Sequence, residues 1–163
     1  MANSRFHEEP YDEGTLTKLK IFELYVQAWI PVFVSRPEPP FRELHIYDLF
    51  CGPGTDSVGV PGSPLRILGQ LRDYQRAGMS GWSKVKIVAH LSDEDEAKVT
   101  RLADTLKSPA WQVPGVQIET AAITFQEAIR QHQSVLTAPG AAKLLIIDQF
   151  GVDEVTDDVF KQL

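Results

Sequence analysis

Cysteine is almost absent from this chain of 163 residues: Cys51 stands alone. A single thiol rules out an internal disulfide and leaves no cysteine-based metal site. A reducing, cytoplasmic setting fits. The histidines, His7, His45, His90 and His132, show no ligand spacing, so the pattern supports no metal. Long apolar runs are missing too. No stretch approaches the ~20 residues needed to cross a bilayer, so no membrane span is expected. The opening residues Met1 to Tyr11 are polar and acidic and lack the apolar segment of a secretion signal. Positive charge is in deficit, with 16 Lys and Arg against 22 Asp and Glu, a net charge of −6. Phosphate backbones are gripped by clustered cations. The balance therefore argues against a broad nucleic-acid surface on this chain, although a partner or a missing region could supply one.

Two phosphate-binding signatures are also lacking. The P-loop needs Gly-Lys-Ser/Thr, which occurs nowhere. The dinucleotide fingerprint needs a third glycine three residues after its second, and that position is Ser57. What remains is the composition of an ordinary globular protein, 43% hydrophobic and 23% charged. A chain of this length buries roughly 70% of its unfolded surface.

Periodicity divides the chain. Residues 1–13 are expected to form a flexible N-terminus, and 14–163 one domain. From Thr15 to Val34 the apolar residues Leu16, Leu19, Phe22, Tyr25, Val26, Trp29 and Phe33 recur at helical spacing. Pro31 should kink or end that helix. A strand is expected from Leu44 to Leu49, then a long loop from Phe50 to Gly62 containing Gly52, Gly54, Gly59 and Gly62. Ser63 reads as an N-cap and Pro64 as the first helical residue. That helix runs through Leu65, Leu68, Leu71 and Tyr74 and stops near Gly78. Val85 to Leu91 reads as a second strand. Asp93 then opens a helix containing Val99, Leu102 and Leu106. Val116 to Thr120 is a weaker strand, Phe125 to Leu136 a helix, and Lys143 to Asp148 a fourth strand apolar on both faces, as a central parallel strand reads. The alternation predicts an α/β fold, a parallel doubly wound sheet with helices on both faces. Val155, Val159, Phe160 and Leu163 look like one helix face at the end of the chain. With nothing after it, the fourth strand would lie near an exposed edge. An incomplete C-terminus, truncated after the fourth strand, is the expectation.

The chemistry-bearing residues collect at strand ends. In open α/β sheets ligands sit outside the carboxyl ends of the strands, where the strand order reverses. Asp48 ends the first strand, Asp93 follows the second and Asp148 ends the fourth. Gly52 and Gly54 would let backbone approach a ligand where a Cβ would collide. Asp93 is placed to accept hydrogen bonds from two ribose hydroxyls, or to oppose a helix dipole. Asp48 would hold an ammonium group or brace the loop. A ribose-bearing cofactor without pyrophosphate, such as S-adenosylmethionine, suits this set. Cys51 reads as a small packing residue rather than a nucleophile.

The string Asp48-Leu49-Phe50-Cys51-Gly52-Pro53-Gly54 resembles the first cofactor motif of class I S-adenosylmethionine-dependent methyltransferases. DNA cytosine methyltransferases share a similar string but need a Pro-Cys nucleophile, and here Phe50 precedes the only cysteine. The chain is more similar to the three-Cys-motif partner family, methyltransferase-like proteins of bacteria and their mobile elements. The resemblance rests on Leu16-Thr17-Lys18-Leu19 with Tyr25 and Trp29, on the Asp48–Gly54 loop, on Gly62-Ser63-Pro64-Leu65, and on the run from Ile147 to Gly151. It implies a Rossmann-like fold and a cofactor site formed by Asp48, Phe50, Gly52, Gly54 and Asp93. It also implies catalytic roles for Asp148 and Phe150 facing the methyl acceptor, and a three-Cys-motif protein as partner. The acceptor could be nucleic acid, reached through missing regions, or protein.

Two departures from the family pattern stand out. Gln149 replaces the proline that usually follows the fourth-strand acid, and Thr120-Ala121-Ala122-Ile123-Thr124 lacks the acid often found after the third strand. Two functions are therefore expected to compete: a methyltransferase, and a catalytically degenerate methyltransferase-like module that binds partner proteins.

Overall fold

The computed structural model describes residues 9–148. Gln149, Phe150 and Gly151 lie outside them, as do Val155, Val159, Phe160 and Leu163.

Helix α1 spans Glu13–Val34, and its N-cap Asp12 accepts the Thr15 N–H at 2.7 Å. The terminal stretch is thus tied down as far back as Tyr11, whose N–H donates to Asp56 Oδ2. Pro31 does not end the helix, contrary to expectation; α1 continues to Val34. A proline removes the hydrogen bond to the carbonyl four residues back. Here that carbonyl, on Gln27, accepts the Tyr74 hydroxyl at 2.6 Å instead. The orphaned acceptor is satisfied from the neighbouring helix, which removes most of the reason to break.

Four strands follow, β1 (Glu43–Asp48), β2 (Lys86–Asp93), β3 (Val116–Ala122) and β4 (Ala141–Ile146). They alternate with α2 (Ser63–Arg76), α3 (Glu96–Leu106) and α4 (Phe125–Leu136). Several boundaries move from the sequence expectation. Gly62, not Ser63, is the N-cap of α2, so Pro64 is the second helical residue. Asp93 closes β2 rather than opening a helix, and Asp95 caps α3 by accepting from the Ala97 and Lys98 N–H groups. Strand β4 begins two residues early and stops at Ile146, leaving Asp148 beyond its end. Thr124 and Glu127 form a reciprocal capping box that starts α4.

Among the described residues these strands pair in parallel, in the order β3-β2-β1-β4. The chain steps outward from β1 through β2 to β3, then returns to the other side of β1. The strand order reverses between β1 and β4, at a topological switch point. The fold is α/β, compatible with a Rossmann-like architecture. Its two faces are covered separately. Leu44, Ile46, Ile87, Ala89 and Leu91 share one core with Val26 and Ile30 of α1, Leu65, Leu68 and Leu71 of α2, and Leu102 of α3. Tyr47 and Leu49 share a smaller core with Phe125, Ala128, Ile129 and Leu136 around α4. Among the described residues β4 is an edge strand, and no helix is long and apolar enough to cross a membrane.

Leu71 is fully buried, whereas Leu24 on the outer face of α1 is about half exposed. Leu71→Ala is expected to cost about 2–5 kcal/mol, and Leu24→Ala to stay within about 0.5 kcal/mol. Urea denaturation midpoints of the two variants check this.

Candidate functional site

The site is built where β1 ends. Beyond Asp48 the backbone keeps bonding to both flanking strands: the Leu49 N–H reaches the Ile146 carbonyl at 3.4 Å, and the Cys51 N–H reaches the Ser92 carbonyl at 2.9 Å. The chain then turns sharply through Gly52 and Gly54, with φ of 61° and 91°. Side-chain-bearing residues rarely adopt such angles. Gly54 faces a second limit, because a Cβ there would lie 2.9 Å from Leu102 Cδ1 of α3. Glycine at 54 is required by conformation and by space together.

The rest of the loop is an ordered unit. Asp56 sits fully buried beneath it and accepts N–H bonds from Tyr11, Val58 and Val60 at 2.8–3.0 Å. Burial alone would raise its pKa. The Tyr11, Val60, Val58 and Gly59 amides outweigh that and hold the carboxyl below the usual range. The Gly62 N–H closes the loop onto the Gly54 carbonyl at 2.8 Å, and Arg101 ties the Thr55 hydroxyl and the Asp56 carbonyl back to α3.

Topology brings Asp48, Asp93 and Asp148 to one rim, close enough that the charges of Asp148 and Asp93 act on Asp48. Their environments differ. Asp93 accepts the Gly52 N–H on Oδ2 at 3.1 Å and the Asp95 N–H on Oδ1 at 3.0 Å, with Lys98 Nζ 3.9 Å away. Each carboxylate oxygen can accept twice, so Asp93 braces the loop and keeps capacity for a ligand hydroxyl.

Asp48 has no exposed surface, and neither of its oxygens completes a hydrogen bond of normal geometry. Burial pushes its carboxyl up to about 7. The nearby Ser63 hydroxyl and Phe50 amide pull it back, and the other two acids add to the rise. Of the two roles expected for Asp48, its seclusion favours bracing the loop over direct contact with an ammonium group.

Asp148 forms an ion pair with Lys18 of α1 at 2.8 Å. Phe50 stacks nearly parallel on Phe125, ring centroids 5.6 Å apart, so its ring is committed to the α4 core. Cys51 is buried, which raises its thiol pKa well above the ordinary value, as do the Asp48 and Asp93 charges. It is a packing residue, as expected. Among the described residues no group of His, Cys, Asp and Glu could hold a metal.

Sequence reasoning missed Asp56 and the pairing of Lys18 with Asp148. Asp56 carries a usable signal, since an acid inside a glycine-rich loop is a natural acceptor for several amides. The approach of Lys18 to Asp148 spans most of the chain and has no local signature. A scan of family models and searches of curated proteins and of solved structures found no match to this chain.

Two predictions follow from this geometry. Gly59 has a φ of +88° with open space around it, so Gly59→Ala costs backbone strain alone, about 1–2 kcal/mol. Gly54→Ala adds overpacking against Leu102, a further cost of about 1–3 kcal/mol. Comparing the two denaturation curves separates space from strain. For Asp48, a folded pKa above the unfolded value means that the native state holds the extra proton. Its contribution to stability is therefore lost as pH rises from about 4 through about 7. Asp48→Asn should gain about 2–3 kcal/mol relative to the wild type between pH 5 and pH 8, measured by denaturation at both pH values.

Proposed function

We propose that this chain binds S-adenosylmethionine at the Asp48–Gly54 loop and belongs to a methyltransferase of Rossmann-like class I architecture. The observation carrying this reading is the convergence of three strand-end acids on a loop whose glycines adopt left-handed conformations. The switch point between β1 and β4 is where open α/β sheets take ligands. A rim with three carboxylates suits a ligand bearing positive charge, as a sulfonium and an ammonium do. The uncompensated burial of Asp48 points the same way.

The residues divide the work. Gly52 and Gly54 allow close backbone approach, and Asp93 takes the ribose hydroxyls through its spare lone pairs. Asp48 sets the negative potential beneath the loop. Bound S-adenosylmethionine supplies a methyl group on a good leaving group, so the protein mainly contributes orientation and a dry site. Asp148 orients the acceptor or takes its proton once it parts from Lys18. The acceptor is a nucleic acid or a protein, and a three-Cys-motif protein is the proposed partner.

Two observations favour the alternative, a catalytically degenerate module that binds partners. Asp148 is already paired with Lys18. In addition, Ile21, Leu24, Tyr25 and Val32 leave an apolar stripe exposed on α1.

Calorimetric titration with S-adenosylmethionine tests the proposal. Saturable binding is expected, lost in Asp93→Ala. Binding a cation favours ionised Asp48, so affinity should rise about tenfold between pH 6 and pH 8. A folded wild-type protein that gives no saturable signal at either pH would overturn the reading.

A further inference from the structure

Helix α1 is buried along one side and joined to α2 along another. Leu19, Val26, Ile30 and Phe33 are buried, and Glu23 bonds to Arg66 and Gln70 of α2. Lys18, on the flank away from α2, pairs with Asp148 beyond β4. Continuing from Lys18 along that flank come Ile21, Tyr25, Ala28 and Val32, at intervals of three, four, three and four residues. A repeat averaging 3.5 residues is the spacing of a coiled-coil seam. All four side chains are exposed, Tyr25 by 65% and Val32 by 58%, and Leu24 widens the stripe.

The solvent face of a helix normally carries charged and polar residues. Here no charged residue occurs from Leu24 to Val34. The seam is an uncharged apolar strip on a chain of net charge −6. Two copies of such a chain repel over most of their surface and least along this strip.

The order of residues makes the seam complementary to itself. An antiparallel pairing about a twofold axis midway between Tyr25 and Ala28 sets the largest side chain on the smallest, twice. The same register sets Ile21 on Val32 of the other copy. Parallel pairing would put Tyr25 on Tyr25, leave a gap at Ala28 and bring Lys18 against Lys18. It would also place both acidic rims at one end, because α1 begins beside that rim. Antiparallel pairing sends the rims to opposite ends. It also carries Arg36, just past the end of one α1, toward Glu13 at the start of the other.

We infer that the seam formed by Ile21, Tyr25, Ala28 and Val32 is a docking surface for a second copy of this chain, giving an antiparallel α1–α1 homodimer. A twofold contact closes on itself, so association stops at two copies. With 22 residues, α1 is about 33 Å long and about 10 Å wide. One flank of it covers less than the ~800 Å² per partner of a standard interface. The dimer is therefore weak and dissociates on dilution.

Sedimentation velocity of the 163-residue chain between about 1 and about 500 μM tests the association. The mass is expected to rise from 18.2 kDa toward twice that value. Ala28→Glu, at an exposed position, should keep the wild-type urea midpoint and stay monomeric throughout. A wild-type chain that is monomeric at every concentration overturns the proposal, whether the stripe stays bare or residues 149–163 cover it. So does a dimer that Ala28→Glu leaves intact. Disulfide trapping tests the register, and the native Cys51 is buried away from it. Residues 21 and 32 of opposite copies meet, whereas the two copies of residue 21 lie about 16 Å apart along the seam, beyond disulfide reach. A mixture of Ile21→Cys and Val32→Cys chains should crosslink under oxidation, and neither variant alone. Crosslinking of either variant by itself, with none gained in the mixture, overturns the antiparallel seam.

Discussion

The candidate site depends on one carboxylate that serves two segments at once. Asp93 closes β2, and its two oxygens bind the Gly52 and Asp95 N–H groups. The first bond fixes the glycine loop that follows β1; the second fixes the turn into α3. Because β1 and β2 are neighbours in register, with Asp48 opposite Leu91, the loop and the turn are brought together by the sheet itself. Charge-assisted bonds of this kind are stronger than neutral ones. Leu102, on the helix that follows the turn, then fills the space beneath Gly54. Loop, turn and helix form one packed assembly with Asp93 at its centre.

Electrostatics at the rim complement that assembly. Asp56 and Asp48 are both fully buried acids a short distance apart in sequence, yet their pKa values move in opposite directions. Two things differ: Asp48 lies much deeper in the protein, so desolvation weighs more heavily on it, and fewer amides are aimed at it. Asp56 gathers several and stays charged, which makes it a structural anchor. Asp48 gathers too few to offset desolvation, so its proton is labile near neutral pH. Such a group is poised to respond when another charge arrives, which is characteristic of functional positions more often than of purely structural ones.

The architecture was legible in the sequence because its signals are local and repeated. Apolar runs in β1 and β2, helical spacing in α1 to α4 and glycines after Asp48 all act over a few residues. Even the convergence of Asp48 and Asp93 could be read, since adjacent parallel strands end on the same side. What was not legible involves distant partners. The persistence of α1 past Pro31 depends on Tyr74, and the pairing of Asp148 depends on Lys18. The contact between the His45 and His90 rings, 2.9 Å from nitrogen to nitrogen across two strands, shows the same limit. His45 and Tyr47 alternate along β1, but β1 and β2 must be set in register before Tyr47 stacks on His90 and His45 bonds to it. Spacing along the chain, which dismissed these histidines as ligands, carries no information about that.

The Lys18–Asp148 pair bears most directly on whether the site is chemically competent. Its side chains are 33% and 18% exposed, so the pair is solvated on one side and not sealed in the core. Ion pairs in such positions contribute about 0–1 kcal/mol. A contact that weak does not hold Asp148 against a ligand offering better-placed hydrogen-bond donors. It does keep the acid from standing uncompensated beside Asp48 and Asp93. The pair is therefore a weak tie between α1 and the strand-end rim, with a low cost of opening. What remains in favour of a partner-binding module is the apolar stripe of α1. That stripe, formed by Ile21, Leu24, Tyr25 and Val32, faces away from the core that α1 shares with the sheet.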